Sequence, residues 1–289
     1  MVDLMRLTLR QLDVFVAIAD YGSTAAAGDA LGLSQSAVSA ALKELEGHWD
    51  CPVFDRVGRG LQLNAQGRCL LPLARGLLAD AQALERRMAD PMGALHLQLG
   101  ASSTIGNHLL PPLLAAFLGE HPGSQLSVSI ANTAQVAQSV AQMQVDAGLV
   151  EGISPLPELR MTPWRQDRLR VVAAPDQMPT SMAALGRARW LLRESGSGTR
   201  QLFDQQLLPL LGGQLQALSL ASTTAIVSAA RQGAGVACVP ESAVHDALQA
   251  GTLVELDMGL PPLQRTLWLL EHPQRQRPLG LSRLLGLDG

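Results

Sequence analysis

Apolar side chains recur at helical spacing in three consecutive stretches near the start of the chain. Leu12, Phe15, Val16 and Ala19 share one face, and Thr8 precedes them as a cap, so a helix is predicted over 9–21. Ser23 or Thr24 caps a second helix over 25–31, which Gly32 ends by accepting a left-handed backbone. Ser34 caps a third, running to about residue 49, with Ala37, Val38, Ala41, Leu42 and Leu45 as its stripe. Gln35, Ser36, Ser39 and Lys43 are left on or beside the other face. The period then drops to that of a strand. Val53-Phe54 and residues 61–63 flank a Gly-rich turn at 58–60, a hairpin with Arg56 and Arg59 at its tip. Residues 65–90 return to a Leu-rich helical pattern, with Pro72 near its first turns.

Two short helices around a Gly turn, the second opening with small polar residues, meet the needs of a helix-turn-helix. A recognition helix must enter a major groove about 12 Å wide, and amide or hydroxyl side chains at its start reach base edges. The alternative is a generic helical hairpin with a polar outer face. The hairpin that follows reads as a wing and favours the DNA-binding reading. The long helix after it needs a partner for its apolar side, and self-association supplies one.

Past a break at Asp90-Pro91 the pattern becomes that of alternating strands and helices. Strands are predicted at 95–99, 126–130, 144–150, 169–173, 190–192, 218–221 and 236–239, with late ones at 253–256 and 265–270. The alternation implies open, mostly parallel sheets, and the length implies two lobes around a cleft. Three loops join a strand end to a helix start and are rich in hydroxyls: Ser102-Ser103-Thr104, the run from Ser195 through Ser197 to Thr199, and Ser222-Thr223-Thr224. Ligands gather at the carboxyl ends of strands, and helix N-termini there offer unpaired N–H groups and partial positive charge. That chemistry suits a small anion; plain helix capping is the alternative. Asn132-Thr133 is a fourth candidate. His108 lies near the first loop, and Glu151 and Glu194 read as solvated loop carboxylates. Trp164 and Trp190 are expected near the lobe junction and the cleft.

Composition narrows the field. Of 289 residues 47% are hydrophobic and 16% charged, enough apolar material for large cores and against disorder. Net charge is −3, and residues 1–90 hold nine basic against eleven acidic side chains, so DNA affinity must rest on the placement of charge. The three cysteines and six histidines match no metal-ligand spacing, and no metal or cofactor is expected. Ser195–Thr199 is neither a P-loop nor a nucleophile elbow, so no enzymatic activity is expected. Neither a signal peptide nor a membrane span is read, which predicts a cytoplasmic protein with no membrane partner.

The string from Gly22 to Ser39, with Ser34-Gln35-Ser36-Ala37-Val38-Ser39 at its core, resembles the helix-turn-helix of LysR-type transcriptional regulators. Leu45-Glu46, Phe54-Asp55-Arg56, Leu63-Asn64 and Gly67 continue the likeness, as do Gly100–Pro111 and Gly233–Val236 further on. The resemblance implies an α/β fold class: an N-terminal winged helix-turn-helix at 1–66, a linker helix at 67–90 that pairs subunits, and an effector-binding domain at 95–289. That last domain would be two-lobed, like periplasmic binding proteins, with lobes of approximately 95–164 plus 266–289, and 165–265. Gln35, Ser36, Ser39 and Arg56 would contact DNA, with Lys43 and Arg59 beside them. Ser102, Ser103, Thr104, Asn132, Thr133, Ser197, Thr199, Ser222 and Thr223 would hold a small anionic effector. Double-stranded DNA, the effector, a second copy of the chain as homodimer or homotetramer, and RNA polymerase are the expected partners.

Overall fold

The computed structural model describes residues 6–48, 50–58, 60–89, 95–154, 156–212, 215–278 and 280–287. The chain divides into two compact units, 1–93 with 142–144, and the remainder.

The first unit is built by local signals. Helices α1 (Leu9–Tyr21), α2 (Thr24–Leu31) and α3 (Gln35–Gly47) begin at Thr8, Ser23 and Ser34, whose hydroxyls accept from Gln11, Ala26 and Ala37 N–H groups. Thr8 and Gln11 form a full capping box. Gly22 and Gly32 end α1 and α2 at φ of 75° and 66°, a conformation glycine adopts without strain. Strands β1 (Phe54–Val57) and β2 (Gly60–Leu63) pair antiparallel, and Leu61 N–H donates to Gly22 O at 2.9 Å, tying the wing to the end of α1. Leu12, Phe15, Ile18, Val38, Leu45 and Phe54 share one core. Burying a side chain such as Phe15 contributes about 1.5–3 kcal/mol. Helix α4 (Ala65–Ala89) then runs for 25 residues through Pro72. It leaves Leu73, Leu77, Leu84 and Met88 exposed along its length.

In the second unit, β3 (His96–Ser102) leads through a π-helical turn at Ile105–Leu109 into α5 (Leu110–Glu120), followed by β4 (Gln125–Ala131), α6 (Thr133–Ala141) and β5 (Ala147–Glu151). The long β6 (Arg160–Ala173) follows, then α7 (Met182–Arg187), β7 (Arg189–Arg193), α8 (Gly198–Leu202), β8 (Gln216–Leu220), α9 (Thr223–Arg231) and β9 (Val236–Pro240). Helix α10 (Glu241–Gln249), β10 (Val254–Glu255), β11 (Gln264–Glu271) and α11 (Leu281–Leu285) complete it. The strands are hydrogen-bonded in the order β4-β3-β5-β11-β6-β9-β7-β8, with β10 on β6.

Strand β6 belongs to both halves. Its residues 160–168 pair with β11 and its residues 169–172 with β9. Lobe I gathers Leu97, Leu99, Ile105, Leu149, Leu267 and Leu284 in its core, and lobe II gathers Leu169, Trp190, Phe203 and Val236. Two expectations are corrected here. The strand expected from residue 169 begins at Arg160: its polar first half and Pro163 conceal it, and Pro163 faces Trp268, where the β6–β11 register shifts. Trp190 does not line the cleft. It is fully buried, donates to Leu185 O at 3.2 Å and packs on Phe203.

Candidate functional site

The polar face of α3 comes out as expected from its periodicity. Gln35, Ser36, Ser39 and Lys43 are exposed while Val38, Leu42 and Leu45 are buried. Ser36 Oγ lies 3.0 Å from Ser34 Oγ, and Gln35 Nε2 donates to Thr24 Oγ1 at 3.4 Å, so the leading residues of the helix are lightly held. Arg56 is exposed on β1; Arg59 lies outside the described residues. Lys43 and Arg56 enter no ion pair among the described residues, whereas Arg75 is paired with Asp20. Glu46 Oε1 accepts from Val53 N–H at 2.9 Å and Asn64 N–H donates to Val53 O at 3.2 Å, which fixes the wing against α3 and the start of α4.

In the second unit the hydroxyl loops converge, but around charges that belong to the chain itself. Glu151 ends β5 with its carboxylate buried. Ser102 Oγ and Thr104 N–H each donate to Oε1 at 2.9 Å. Thr199 Oγ1 donates to Oε2 at 3.1 Å, and Arg265 Nη1 donates to the same oxygen at 2.7 Å. Arg265 also donates to Thr199 Oγ1 at 2.9 Å, Thr104 Oγ1 at 3.3 Å and, through Nε, Asp167 Oδ2 at 2.7 Å. Thr133 Oγ1 donates to Glu151 O at 2.9 Å. The Glu151 carbonyl lies so close to Gly198 that an added Cβ there would stand 2.1 Å from the oxygen.

A second group forms around Arg193, which ends β7 and is 2% exposed. Its Nη1 donates to Thr223 Oγ1 at 3.0 Å and its Nη2 to Ser103 Oγ at 3.3 Å, one partner from each lobe. Glu194 grips the same guanidinium at 2.8 and 3.0 Å, and Asn132 Nδ2 donates to Glu194 Oε1 at 3.3 Å. Ser197 is buried next to these residues without capping α8. Ser222 is exposed and accepts from Ala225 N–H, so it caps α9 and stays out of both groups.

Glu151 and Glu194 were expected to be solvated. Both are instead engaged, Glu151 completely. Burial pushes the Glu151 pKa up, but Arg265 and the Thr104 and Ser102 hydrogen bonds outweigh it and hold the carboxyl below its ordinary 4.5. Glu194 is likewise lowered: burial opposes, and Arg193 and Asn132 prevail. His108 is partly buried and its pKa is lowered by that burial, against the pull of Glu151 and Asp167. A depressed carboxylate pKa contributes stability that is present above the unfolded value and lost as pH falls through the folded one. Glu151 should therefore add no pH dependence near neutrality. The Glu151 contribution to the urea midpoint of the second unit, read as the difference between wild type and Glu151→Gln, is expected to stay level from pH 8 to 5 and to decline only below about 4.5. A wild-type advantage over Glu151→Gln that already falls between pH 8 and 5, or that persists unchanged through the titration of ordinary carboxylates, would contradict this.

Arg193, Arg265, Asp167 and the internal role of Glu151 escaped the sequence reading. The available signal was a charge at the end of a short apolar run, as in Ala147–Glu151 and Arg189–Arg193. Such positions lie at the carboxyl ends of parallel strands, where ligands are read. Burial pushes the Cys238 thiol up to about 12, consistent with an inert core residue. No cluster of metal-ligating side chains occurs among the described residues, and no described helix is long and apolar enough to cross a membrane.

A winged helix-turn-helix followed by an α/β domain whose two lobes meet at a buried polar cluster is the arrangement of a DNA-binding transcriptional regulator with an effector-binding domain. The chain belongs to the LysR family. Residues 9–68 match the lysR-family bacterial regulatory helix-turn-helix protein, and residues 93–287 match the LysR substrate binding domain. It is 42% identical to the HTH-type transcriptional regulator YeiE of Escherichia coli K12 over 285 residues, covering 97% of each chain. It is 28% identical to the regulator CysL of Bacillus subtilis, covering 91% and 90% of the two chains. Its fold is shared with full-length LysG of Corynebacterium glutamicum with bound effector Arg (TM-score 0.70, 19% identity, 96% of each chain covered). CbnR in complex with its target DNA is also similar (TM-score 0.64, 20% identity, 97% and 98% covered).

Proposed function

We propose that this regulator reads DNA through Gln35, Ser36, Ser39, Lys43, Arg56 and Arg59, and is controlled by a small anion that binds at Arg193. It works in the cytoplasm as a homodimer or homotetramer, binding its effector without transforming it, with RNA polymerase as a further partner at the promoter. The exposed stripe Leu73, Leu77, Leu84 and Met88 supports self-association through α4. Residues 1–66, 67–90 and 95–289 serve as reading head, pairing helix and sensor.

The observation that carries the effector reading is the Arg193 guanidinium, buried and held between Ser103 of lobe I and Thr223 of lobe II. A buried guanidinium presents a planar donor fork, the geometry that recognises carboxylates and other oxyanions two bonds at a time. Glu194, whose side chain is 25% exposed, holds that fork at present. An incoming anion exchanges with Glu194 and frees Asn132, which changes the lobe-to-lobe contacts. Through that change the ligand has different affinities for two arrangements of the domain, the only way it can bias one over the other.

The test uses the full chain, a promoter fragment and a panel of small oxyanions and carboxylates, with DNA binding read by fluorescence anisotropy against salt. At least one anion is expected to shift the DNA affinity saturably. Arg193→Gln is expected to need about 10–100-fold more of it, the loss of one charge-assisted hydrogen bond. An unchanged anion requirement in Arg193→Gln would remove Arg193 from the effector site. Salt-independent DNA binding would count against the phosphate contacts of Lys43 and Arg56.

A further inference from the structure

The first hydroxyl loop has the makings of an anion site, and its tenant is part of the chain. Four donors converge on Glu151, two per oxygen: Ser102 O–H and Thr104 N–H on one, Thr199 O–H and Arg265 on the other. They come from β3 and its loop, from α8 and from β11. A free carboxylate held in a dry site would ask for this same set. Ser102, Thr104, Thr199 and Glu151 are each at most 2% exposed, which leaves no room for a second negative group.

We propose that Glu151 is an intramolecular ligand: its carboxylate fills the anion cradle of the first loop, ties lobe I to α8 of lobe II, and restricts the effector to one anionic pole, read at Arg193. Glu151 is thus a specificity-determining residue. Any effector group that reaches toward Ser102 and Thr104 meets a carboxylate already in place and is repelled if it is negative. Because Glu151 bridges the lobes from within the chain, effector exchange at Arg193 acts on a domain already pinned at its other end.

This inference rests on the reading of the cleft as the effector site, and the two can fail separately. The test is chemical rescue in the full chain, with formate and acetate as probes and chloride at equal ionic strength as control. Glu151→Ala shortens the internal ligand and opens the cradle. It is expected to melt well below wild type in chloride and to regain about 5–10 °C at a hundred-fold excess of formate over its Kd. The gain should saturate, persist in the Glu151→Ala/Arg193→Gln double variant, and be absent from wild type and from Glu151→Gln, in which the amide keeps the cradle filled. A folded Glu151→Ala that responds to formate no more than to chloride overturns the proposal, as does an equal, Arg193-independent formate response in wild type. If Glu151→Ala folds in neither medium, Glu151→Gln decides. Loss of the charge opposite Arg265 must then speed hydrogen exchange at 102–104 and 197–199, and wild-type protection there overturns the proposal too.

Discussion

Exchanging Arg265 for alanine is expected to destabilise the second unit by about 3–5 kcal/mol and lower its Tm by roughly 10 °C. The reason lies in what remains. The Arg265 side chain is 3% exposed and pairs with Glu151 at 2.7 Å and Asp167 at 2.5 Å, whose side chains are 2% and 10% exposed. Removing the cation leaves two carboxylates facing one dry space, with their desolvation uncompensated and their repulsion unscreened. In the variant, therefore, the sign of the pH dependence inverts. Carboxyls raised above their unfolded pKa contribute stability below that value and lose it as pH rises, so the deficit of Arg265→Ala relative to wild type should shrink on acidification. Arg265→Lys is expected to recover only part of the loss, because one ammonium cannot span Glu151, Asp167 and the two threonines as the guanidinium does. Calorimetry at pH 5 and 8 decides the matter, and an Arg265→Ala protein within 1 kcal/mol of wild type would mean the cluster is solvated.

Gly67→Ala is expected to abolish DNA binding while leaving the second unit intact. In an ordinary exposed helix this exchange stabilises by about 1 kcal/mol. Here an added Cβ would stand 2.1 Å from Val53 O and 2.7 Å from Leu63 Cδ2. The first of these is backbone and cannot rotate away. Overpacking of this kind costs about 1–3 kcal/mol or more and outweighs the helical gain. Relief requires Val53 to move, and Val53 is bonded to Glu46 and Asn64 and leads directly into β1, which carries Arg56. The check is anisotropy with a promoter fragment alongside two-transition thermal unfolding. Normal DNA affinity in Gly67→Ala would show that the wing tolerates the shift.

The reading head was legible because its rules are local. Thr8, Ser23 and Ser34 cap helices within three residues of themselves, and Gly22 and Gly32 end the helices they follow. The hydroxyl loops were legible for the same reason, since small residues between a strand and a helix mark a helix start. What their hydroxyls bind was not. Glu151 and Arg265 lie 114 residues apart, and no periodicity reports such a pairing. Ser222 and Thr223 make the same point: neighbours in one loop, the first caps its own helix and the second reaches Arg193, a difference set by side-chain direction. The first half of β6 was hidden because its strand signal is weak, with Pro163 in it and pairing to a strand about a hundred residues later.

The way β11 returns to lobe I also sets an order of assembly on the ribosome. The core of lobe II is drawn from residues 169–263 and is complete before β11 is made. Strand β5, by contrast, waits for β11 to cover its outer edge. At about 5–20 residues per second, the stretch from Glu151 to Arg265 takes on the order of 5–20 s to synthesise. Throughout that interval Glu151 has no cation. During that interval the chain lays down the second lobe while the edge of β5 stays open, and the arrival of β11 with Arg265 closes both the sheet and the charge cluster late in synthesis.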